Sequence, residues 1–215
     1  MSEVRIPAGG ATLNGNLTIV DQAKGLVIFA HGSGSSRLSP RNQFVARSLN
    51  KGGLATLLFD LLTPDEESVD MNTREHRFDI GLLADRLVNA TKWAREQKST
   101  RALRIGYFGA STGGGAALVA AAELADEIGA VVSRGGRPDL AGPALPKVKA
   151  PTLLIVGGED HVVIEFNEQA RAQMRCECKI DIVPGATHLF EEPGALERVA
   201  QLASDWFVTQ LKDRA

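Results

Sequence analysis

The segment Gly109-Ala110-Ser111-Thr112-Gly113 has the clearest chemical potential in this chain of 215 residues. It follows a predicted strand at 104–108 and precedes a predicted small-residue helix at 114–125, a context typical of a sharp turn that exposes a nucleophile. Such a turn lifts the Ser111 hydroxyl clear of the sheet and places it at a helix N-terminus, where unpaired N–H groups favour developing negative charge. We therefore interpret Ser111 as a nucleophile.

A glycine-rich turn between a strand and a helix can instead bind a phosphate group. The Gly-Lys-Ser or Gly-Lys-Thr sequence of a Walker A loop does not occur in this segment. A dinucleotide-binding turn has a different glycine spacing and normally follows the first strand of its fold. Both departures favour the nucleophile interpretation.

Two later apolar runs lead to side chains that can activate this serine. Residues 153–156 precede Asp160, and residues 180–183 precede His188. A serine hydroxyl is a weak nucleophile until a base takes its proton, and an imidazole acts as that base when a carboxylate holds its other N–H. We predict that His188 is the base and that Asp160 is the residue that orients it.

The other acids and histidines in this region are weaker candidates. Glu159 is the alternative acid, but Asp160 is favoured because it stands at the loop position just before the returning apolar pair at 162–163. His76 lies in a polar segment and is interpreted as a surface group. His161 adjoins Asp160, and one loop cannot easily supply both acid and base across a site. A metal site of Asp160, His161 and His188 is a further alternative, but no short-range ligand motif supports it, so no metal is predicted.

The loop at residues 31–36, after the first long apolar strand, is rich in glycine and serine. Beside a nucleophile turn of this kind, one oxyanion-binding N–H comes from such a loop and another from the residue after the nucleophile. We predict the backbone N–H groups of Thr112 and Ser33 as these donors, with Gly34 as the alternative to Ser33. The His31 ring is expected to pack under the loop and brace it.

Two arginines, Arg134 and Arg137, lie in a glycine-rich segment that follows the apolar run at 130–132. Guanidinium groups bind carboxylates in a bidentate manner, so the pair can form a fork for a carboxylate on the substrate. Alternatively, either arginine pairs with Asp139 or another loop acid and only fixes the connection, as structural ion pairs often do. Both are retained as possible substrate-binding residues.

The elements that must position these residues alternate between short apolar runs and longer helix-like segments, which predicts a mostly parallel sheet covered by helices. About eight strands are expected, and the first two form an antiparallel pair that is broken at 14–16. The acid-rich segment 63–77 is predicted to be a surface loop. The connection at 134–149 is too short for a large cap, so we predict a doubly wound α/β fold with one domain over 1–215.

Composition and charge limit the partners to be expected. Hydrophobic residues make up 44% and charged residues 23% of the chain, as in ordinary globular proteins. A formal net charge of −2 with both signs interspersed offers no basic surface for nucleic acid or an anionic membrane. No secretory leader or membrane-spanning apolar stretch is visible. We expect a soluble, cytoplasmic protein that acts on a small molecule.

The segments at 31–34, 59–62, 109–113, 157–160 and 186–188 resemble the dienelactone-hydrolase-like branch of the α/β-hydrolase superfamily. This resemblance implies the α/β-hydrolase fold and acyl hydrolysis without a metal or organic cofactor. Dienelactone hydrolases proper carry a cysteine nucleophile, and the serine here points instead to a general carboxylester or acyl hydrolase. The alternative is a non-catalytic protein that keeps the fold and binds a small ligand, because fold does not determine function.

Overall fold

An eight-stranded sheet forms the centre of the computed structural model, which describes residues 1–212. In chain order the strands are β1 (Ser2–Ala8), β2 (Ala11–Thr18), β3 (Leu26–Ala30), β4 (Ala55–Phe59), β5 (Ile105–Ala110), β6 (Ile128–Arg134), β7 (Thr152–Gly157) and β8 (Cys178–Val183). Across the sheet their order is β1-β2-β4-β3-β5-β6-β7-β8. The pairs β1–β2 and β2–β4 are antiparallel, and all other neighbours are parallel.

Helices cover both faces of the sheet, which confirms the predicted doubly wound α/β architecture without a large cap. They are α1 (Pro40–Lys51), α2 (Pro64–Thr73), α3 (Ile80–Glu96), α4 (Thr112–Leu124), α5 (His161–Gln173) and α6 (Ala195–Gln210), with short 3₁₀ stretches at Ala125–Glu127 and Pro138–Lys147. Helices α1 and α6 pack on one face, and α3 and α4 pack on the other. Within residues 1–212, no helix has the length and apolar character needed to cross a membrane.

The central strand β3 shows why the apolar runs are continuous rather than alternating. Leu26 and Ile28 belong to the core beneath α3 and α4, whereas Val27 and Phe29 belong to the core beneath α1 and α6. Successive side chains of a strand point to opposite faces, so a parallel strand covered on both sides must be apolar at every position.

The prediction of a surface loop at 63–77 is wrong, because this segment contains helix α2. The Thr63 side chain accepts a hydrogen bond from the Glu66 backbone N–H, and the Glu66 carboxylate accepts one from the Thr63 N–H. This reciprocal capping box, with Pro64 at the first helical position, starts the helix. The acidic residues that suggested a loop lie in the first turn, where the helix dipole favours negative charge.

The predicted break at 14–16 is also wrong, because β2 runs without interruption through this segment. The chain instead turns at Gly9 and Gly10, whose φ angles of 59° and 87° suit a tight hairpin. Gly15 has a packing role within the strand, since a Cβ there would lie 3.0 Å from Val4 Cγ2 and 3.3 Å from Phe59 Cβ.

Candidate active site

Five neighbouring parallel strands, β3, β5, β6, β7 and β8, end at one edge of the sheet. The segments that follow them carry, in turn, the 31–36 loop, Ser111, the connection after Arg134, Asp160 and His188. Ligands of open α/β sheets bind at the carboxyl ends of the strands. The topology therefore places the predicted site residues along a single edge.

Ser111 occupies the turn between β5 and α4 with φ 51° and ψ −123°, a conformation that is strained for any residue except glycine. Backbone hydrogen bonds hold the turn in place. The Ser111 N–H donates to the Arg134 carbonyl at 3.3 Å, and the Ser111 carbonyl accepts from the N–H groups of Gly114 at 2.9 Å and Arg137 at 3.0 Å. Hydrogen bonds to Arg134 and Arg137, at and just after the end of β6, thus help to hold Ser111 in its strained conformation.

The glycines of the turn are required by close packing. A Cβ on Gly109 would lie 2.5 Å from the Gly113 carbonyl oxygen, and a Cβ on Gly113 would collide with the Ala30 carbonyl oxygen. A Cβ on Gly32 would lie 3.1 Å from Ser111 Cβ. These three positions bring the loop after β3 directly against the turn that carries Ser111.

Asp160 and His188 form a hydrogen-bonded pair, with 2.6 Å between Asp160 Oδ2 and His188 Nδ1. Asp160 directly precedes α5, yet its side chain makes no capping bond to that helix. The adjacent Glu159 and His161 are exposed. His188 and Ser111 line the same pocket, whose volume is about 210 Å³. The structure therefore brings Asp160 and His188 together as a hydrogen-bonded pair, and His188 shares its pocket with Ser111.

The predicted oxyanion donors lie on opposite sides of the contact between the 31–36 loop and α4. Ser33 Oγ and Thr112 Oγ1 are 3.0 Å apart, and Ser33 Oγ also reaches the Arg77 carbonyl at 3.4 Å. Within residues 1–212, the backbone N–H groups of Ser33 and Thr112 have no hydrogen-bond acceptor. Both groups are therefore free to bind an oxyanion. Ser33 and Gly34 are both exposed, and a Cβ on Gly34 would lie 3.7 Å from the Arg77 guanidinium, so Gly34 stays the alternative to Ser33.

The His31 ring packs under the 31–36 loop and holds it in place, as predicted from the sequence. Its ring is buried, its Nδ1 lies 3.0 Å from the Gly32 carbonyl oxygen, and its Nε2 accepts the Leu61 N–H at 3.0 Å. This pattern assigns the neutral tautomer with the proton on Nδ1. Burial lowers the pKa of His31 below its usual value, because the charged form loses hydration.

We expect the His31→Gln variant to be less sensitive to acid than the wild-type protein. The pKa of His31 is lower in the folded than in the unfolded chain, so its contribution is fully present above pH 6.5 and is lost as the pH falls towards the folded pKa. A glutamine can accept the Leu61 N–H without titrating. Urea unfolding between pH 5 and pH 8 measures this, and parallel free-energy profiles for the two proteins would contradict it.

The structure separates the two arginines of the proposed fork. Arg137 makes a bidentate ion pair with Asp139 at 2.7 and 2.8 Å, and its guanidinium lies 4.7 Å from the centre of the Phe166 ring. Hydrogen bonding to Asp139 raises the pKa of Arg137. Arg134 instead lines the pocket that contains Ser111 and His188. The structure therefore shows the structural pairing for Arg137 and a pocket position for Arg134.

Sequence reasoning missed four residues that line this pocket: Leu189, Ser39 before α1, and Arg41 and Asn42 in the first turn of α1. The available signal was Ser39 followed by Pro40, a typical helix start that directs the first turn of α1 towards the carboxyl edge. Among the residues that the structure describes, no group of three or more His, Cys, Asp or Glu side chains is placed to hold a metal ion.

Comparisons with known proteins agree on the fold and the family. The crystal structure of a dienelactone hydrolase from Anabaena variabilis is 61% identical, with a TM-score of 0.97 and 98% of both chains covered. Est1E from Butyrivibrio proteoclasticus is 19% identical, with a TM-score of 0.79 over 98% of this chain and 99% of its own, a likeness of fold alone.

A curated relative from Mycobacterium tuberculosis H37Rv bears the name "Putative phosphoribosyl transferase" and is 58% identical over 209 residues. The match covers 97% of this chain and 46% of the relative, so the chain spans less than half of that protein's length. A family model for the dienelactone hydrolase family matches residues 13–211. The chain has the α/β-hydrolase fold of its structural neighbours and belongs to the dienelactone hydrolase family.

Proposed function

We propose that this protein is a serine hydrolase that cleaves carboxylic esters, or related acyl compounds, through an acyl-enzyme on Ser111. The observation that carries this proposal is the 2.6 Å hydrogen bond from His188 Nδ1 to Asp160 Oδ2, in a histidine that shares a pocket with Ser111. Membership of the dienelactone hydrolase family supports a hydrolase.

In the first half-reaction the Ser111 oxygen attacks the ester carbonyl carbon while His188 Nε2 takes the hydroxyl proton. The carbonyl electron pair moves to oxygen, and the N–H groups of Ser33 and Thr112 stabilise that oxyanion. One pre-aligned donor of this kind contributes about 3 kcal/mol. When the tetrahedral intermediate collapses, His188 returns the proton to the alcohol, which leaves.

In the second half-reaction water replaces the alcohol. His188 removes a proton from the water as its oxygen attacks the acyl carbon, and the same two N–H groups stabilise the second oxyanion. Collapse then releases the carboxylic acid, and His188 returns its proton to Ser111. Asp160 keeps the imidazole oriented throughout and stabilises its charged form.

The name of the mycobacterial relative refers to a protein of which this chain matches 46%. In this chain, His188 pairs with Asp160 and shares a pocket with Ser111, so we propose ester hydrolysis for this chain. A non-catalytic protein that binds a small ligand in the pocket is the rival function. It predicts no covalent chemistry at Ser111.

A fluorophosphonate probe distinguishes the two functions, since it reacts with an activated serine. We expect stoichiometric labelling, with peptide mapping placing the phosphonyl group on Ser111, and no labelling of the heat-unfolded protein. Labelling is expected to fall sharply in His188→Ala because the serine loses its base. A native protein that stays unlabelled at Ser111 would overturn the esterase proposal. A panel of p-nitrophenyl esters of graded length then defines the acyl preference.

A further inference from the structure

Arg134 is a buried cation without a counter-ion among residues 1–212. The residue is 7% exposed at the end of β6, and its single hydrogen bond runs from Nη2 to Asn42 Oδ1 at 3.3 Å. Its Nε has no hydrogen-bond partner, and its guanidinium lies 5.8 Å from the centre of the Phe190 ring. One neutral acceptor therefore serves a group with five N–H donors.

This arrangement is costly, because a buried charge normally requires a charged partner. Other arginines with little exposure have one: Arg37 pairs with Asp60, Arg77 with Asp70, and Arg86 with Glu66. Burial lowers the pKa of Arg134 to about 10, and the neighbouring charge of Arg41 acts in the same direction. Arg134 thus lacks the compensation that the other arginines receive.

The pocket of Ser111 and His188 has a cationic wall and no acidic lining residue within the part of the chain that the structure describes. We define the arginine wall as Arg134, Arg41, Ser35 and Ser39, all of which line this pocket. Arg41 pairs with the exposed Glu191 at 2.9 Å, and exposed pairs contribute only about 0–1 kcal/mol. A bound anion can therefore recruit Arg41 at little cost.

The arginine wall adjoins His188. A Cβ on Gly135, next to Arg134, would lie 3.6 Å from His188 Cε1, and the Arg134 guanidinium faces Phe190, two residues after His188. His188 protonates the leaving alcohol in the proposed mechanism, so the arginine wall lies on the alcohol side. Ser35, Ser39 and Arg41 also line an adjoining cleft of about 620 Å³, which gives the alcohol room. The acidic residues of that cleft, Asp60 and Glu67, do not line the pocket of Ser111 and His188.

We propose that the arginine wall binds a phosphate group on the alcohol part of the substrate, so that the substrate is a carboxylic ester of a phosphorylated alcohol. A phosphate dianion matches two guanidinium charges, and its three terminal oxygens accept from both arginines and the serine hydroxyls. The start of α1 at Ser39 adds the favourable end of a helix dipole. This inference rests on the proposed role of Ser111 as nucleophile.

Direct binding tests the anion site independently of catalysis. Inorganic phosphate is titrated calorimetrically into Ser111→Ala, and we expect saturable binding. Adding Arg134→Met is expected to weaken it by about tenfold or more, with partial recovery in Arg134→Lys. Arg137→Gln is the matched control, since Arg137 is paired with Asp139, and phosphate affinity is expected to stay the same. Absence of binding, or affinity that does not depend on Arg134, would overturn the proposal.

Three acetate esters then test the substrate class by acetate release. They are 2-(phosphonooxy)ethyl acetate, 3-acetoxypropanoate and propyl acetate. We expect kcat/KM for the phosphorylated ester to exceed that for propyl acetate by about tenfold or more. This ratio is expected to fall in Arg134→Met and in the exposed-site variant Arg41→Gln, and to be retained in Arg137→Gln. Thermal unfolding of each variant checks that a lost ratio does not come from a lost fold.

The outcomes separate the two proposals. Phosphate binding with no hydrolysis of any of the three esters would reject the esterase and leave the anion site standing. Hydrolysis of propyl acetate without a preference for the phosphorylated ester would reject the anion site and leave the esterase standing. A preference for the carboxylate ester over the phosphorylated one would overturn the assignment of phosphate.

Discussion

Replacing Ser111 by alanine is expected to lower ester hydrolysis by about four to six orders of magnitude, because the nucleophile, base and orienting acid act as a unit. Without the hydroxyl, His188 has no proton to accept from residue 111 in the first half-reaction, and Asp160 has no charged imidazole to stabilise. The residual rate would come from substrate binding and the oxyanion donors. Steady-state and single-turnover measurements on one p-nitrophenyl ester check this expectation. Near-normal turnover in Ser111→Ala would contradict the assignment of Ser111 as the nucleophile.

A second substitution at the same position separates catalysis from folding. Alanine retains a Cβ and hence the strained φ of 51°, so Ser111→Ala is expected to unfold with nearly the wild-type free energy. Glycine adopts positive φ without this penalty, so Ser111→Gly is expected to be equally inactive but about 1 kcal/mol more stable than Ser111→Ala. Urea unfolding of both proteins measures the difference. Equal stabilities would mean that the turn stores no strain.

The fold class could be predicted because its physical causes are local in the sequence. A parallel strand covered on both faces must be apolar at every position, so β3, β5 and β7 stand out as continuous runs. The turn at Ser111 was equally visible, since close backbone packing requires its glycines: Gly109 lies against the start of α4, and Gly113 lies against the Ala30 carbonyl. Parallel connection then brings the ends of these strands to one edge without any further information.

Two helices were harder to recognise because their sequence signals are weak. Helix α2 buries little besides Asp70, so it lacks an apolar stripe, and its only clear signal is the capping box of Thr63 and Glu66. Helix α5 was not predicted either, since the three side chains that it buries, Val163, Asn167 and Ala170, include a polar one. The Asn167 amide donates to the carbonyls of Gly136 and Val163, contacts that only the folded chain provides.

The side chains that pair with Arg134 and Arg137 could not be predicted from the sequence either. Arg134 and Arg137 are three residues apart in one glycine-rich segment, yet Arg137 pairs with Asp139 whereas Arg134 reaches Asn42 on α1. The difference depends on which side of the segment faces the pocket, and that follows from the path of the chain after β6. From the sequence, a substrate-binding fork and a structural pairing with Asp139 or another loop acid therefore stayed open as alternatives.

Substitution of Asp160 is the second prediction with a large expected effect on turnover. The adjacent carboxylate of Glu159 provides the matched control. Asp160→Asn is expected to lower kcat by about three to four orders of magnitude, because an amide no longer stabilises the charged His188 ring or fixes its correct tautomer. Glu159→Gln is expected to change kcat by less than about threefold, since the Glu159 side chain is exposed and only its backbone N–H is engaged, with the Ala186 carbonyl.

Asp160→Asn and Glu159→Gln are expected to have similar free energies of unfolding, so that a difference in their turnover reports on catalysis alone. The Asp160 side chain makes no capping bond to α5, so asparagine at this position removes the interaction with His188 and no helix cap. Both proteins are therefore expected to unfold at similar urea concentrations while their turnover numbers differ by about a thousandfold or more. A large loss in Glu159→Gln together with a small one in Asp160→Asn would move the orienting role to Glu159. It would also mean that the 2.6 Å contact between Asp160 and His188 has no part in turnover.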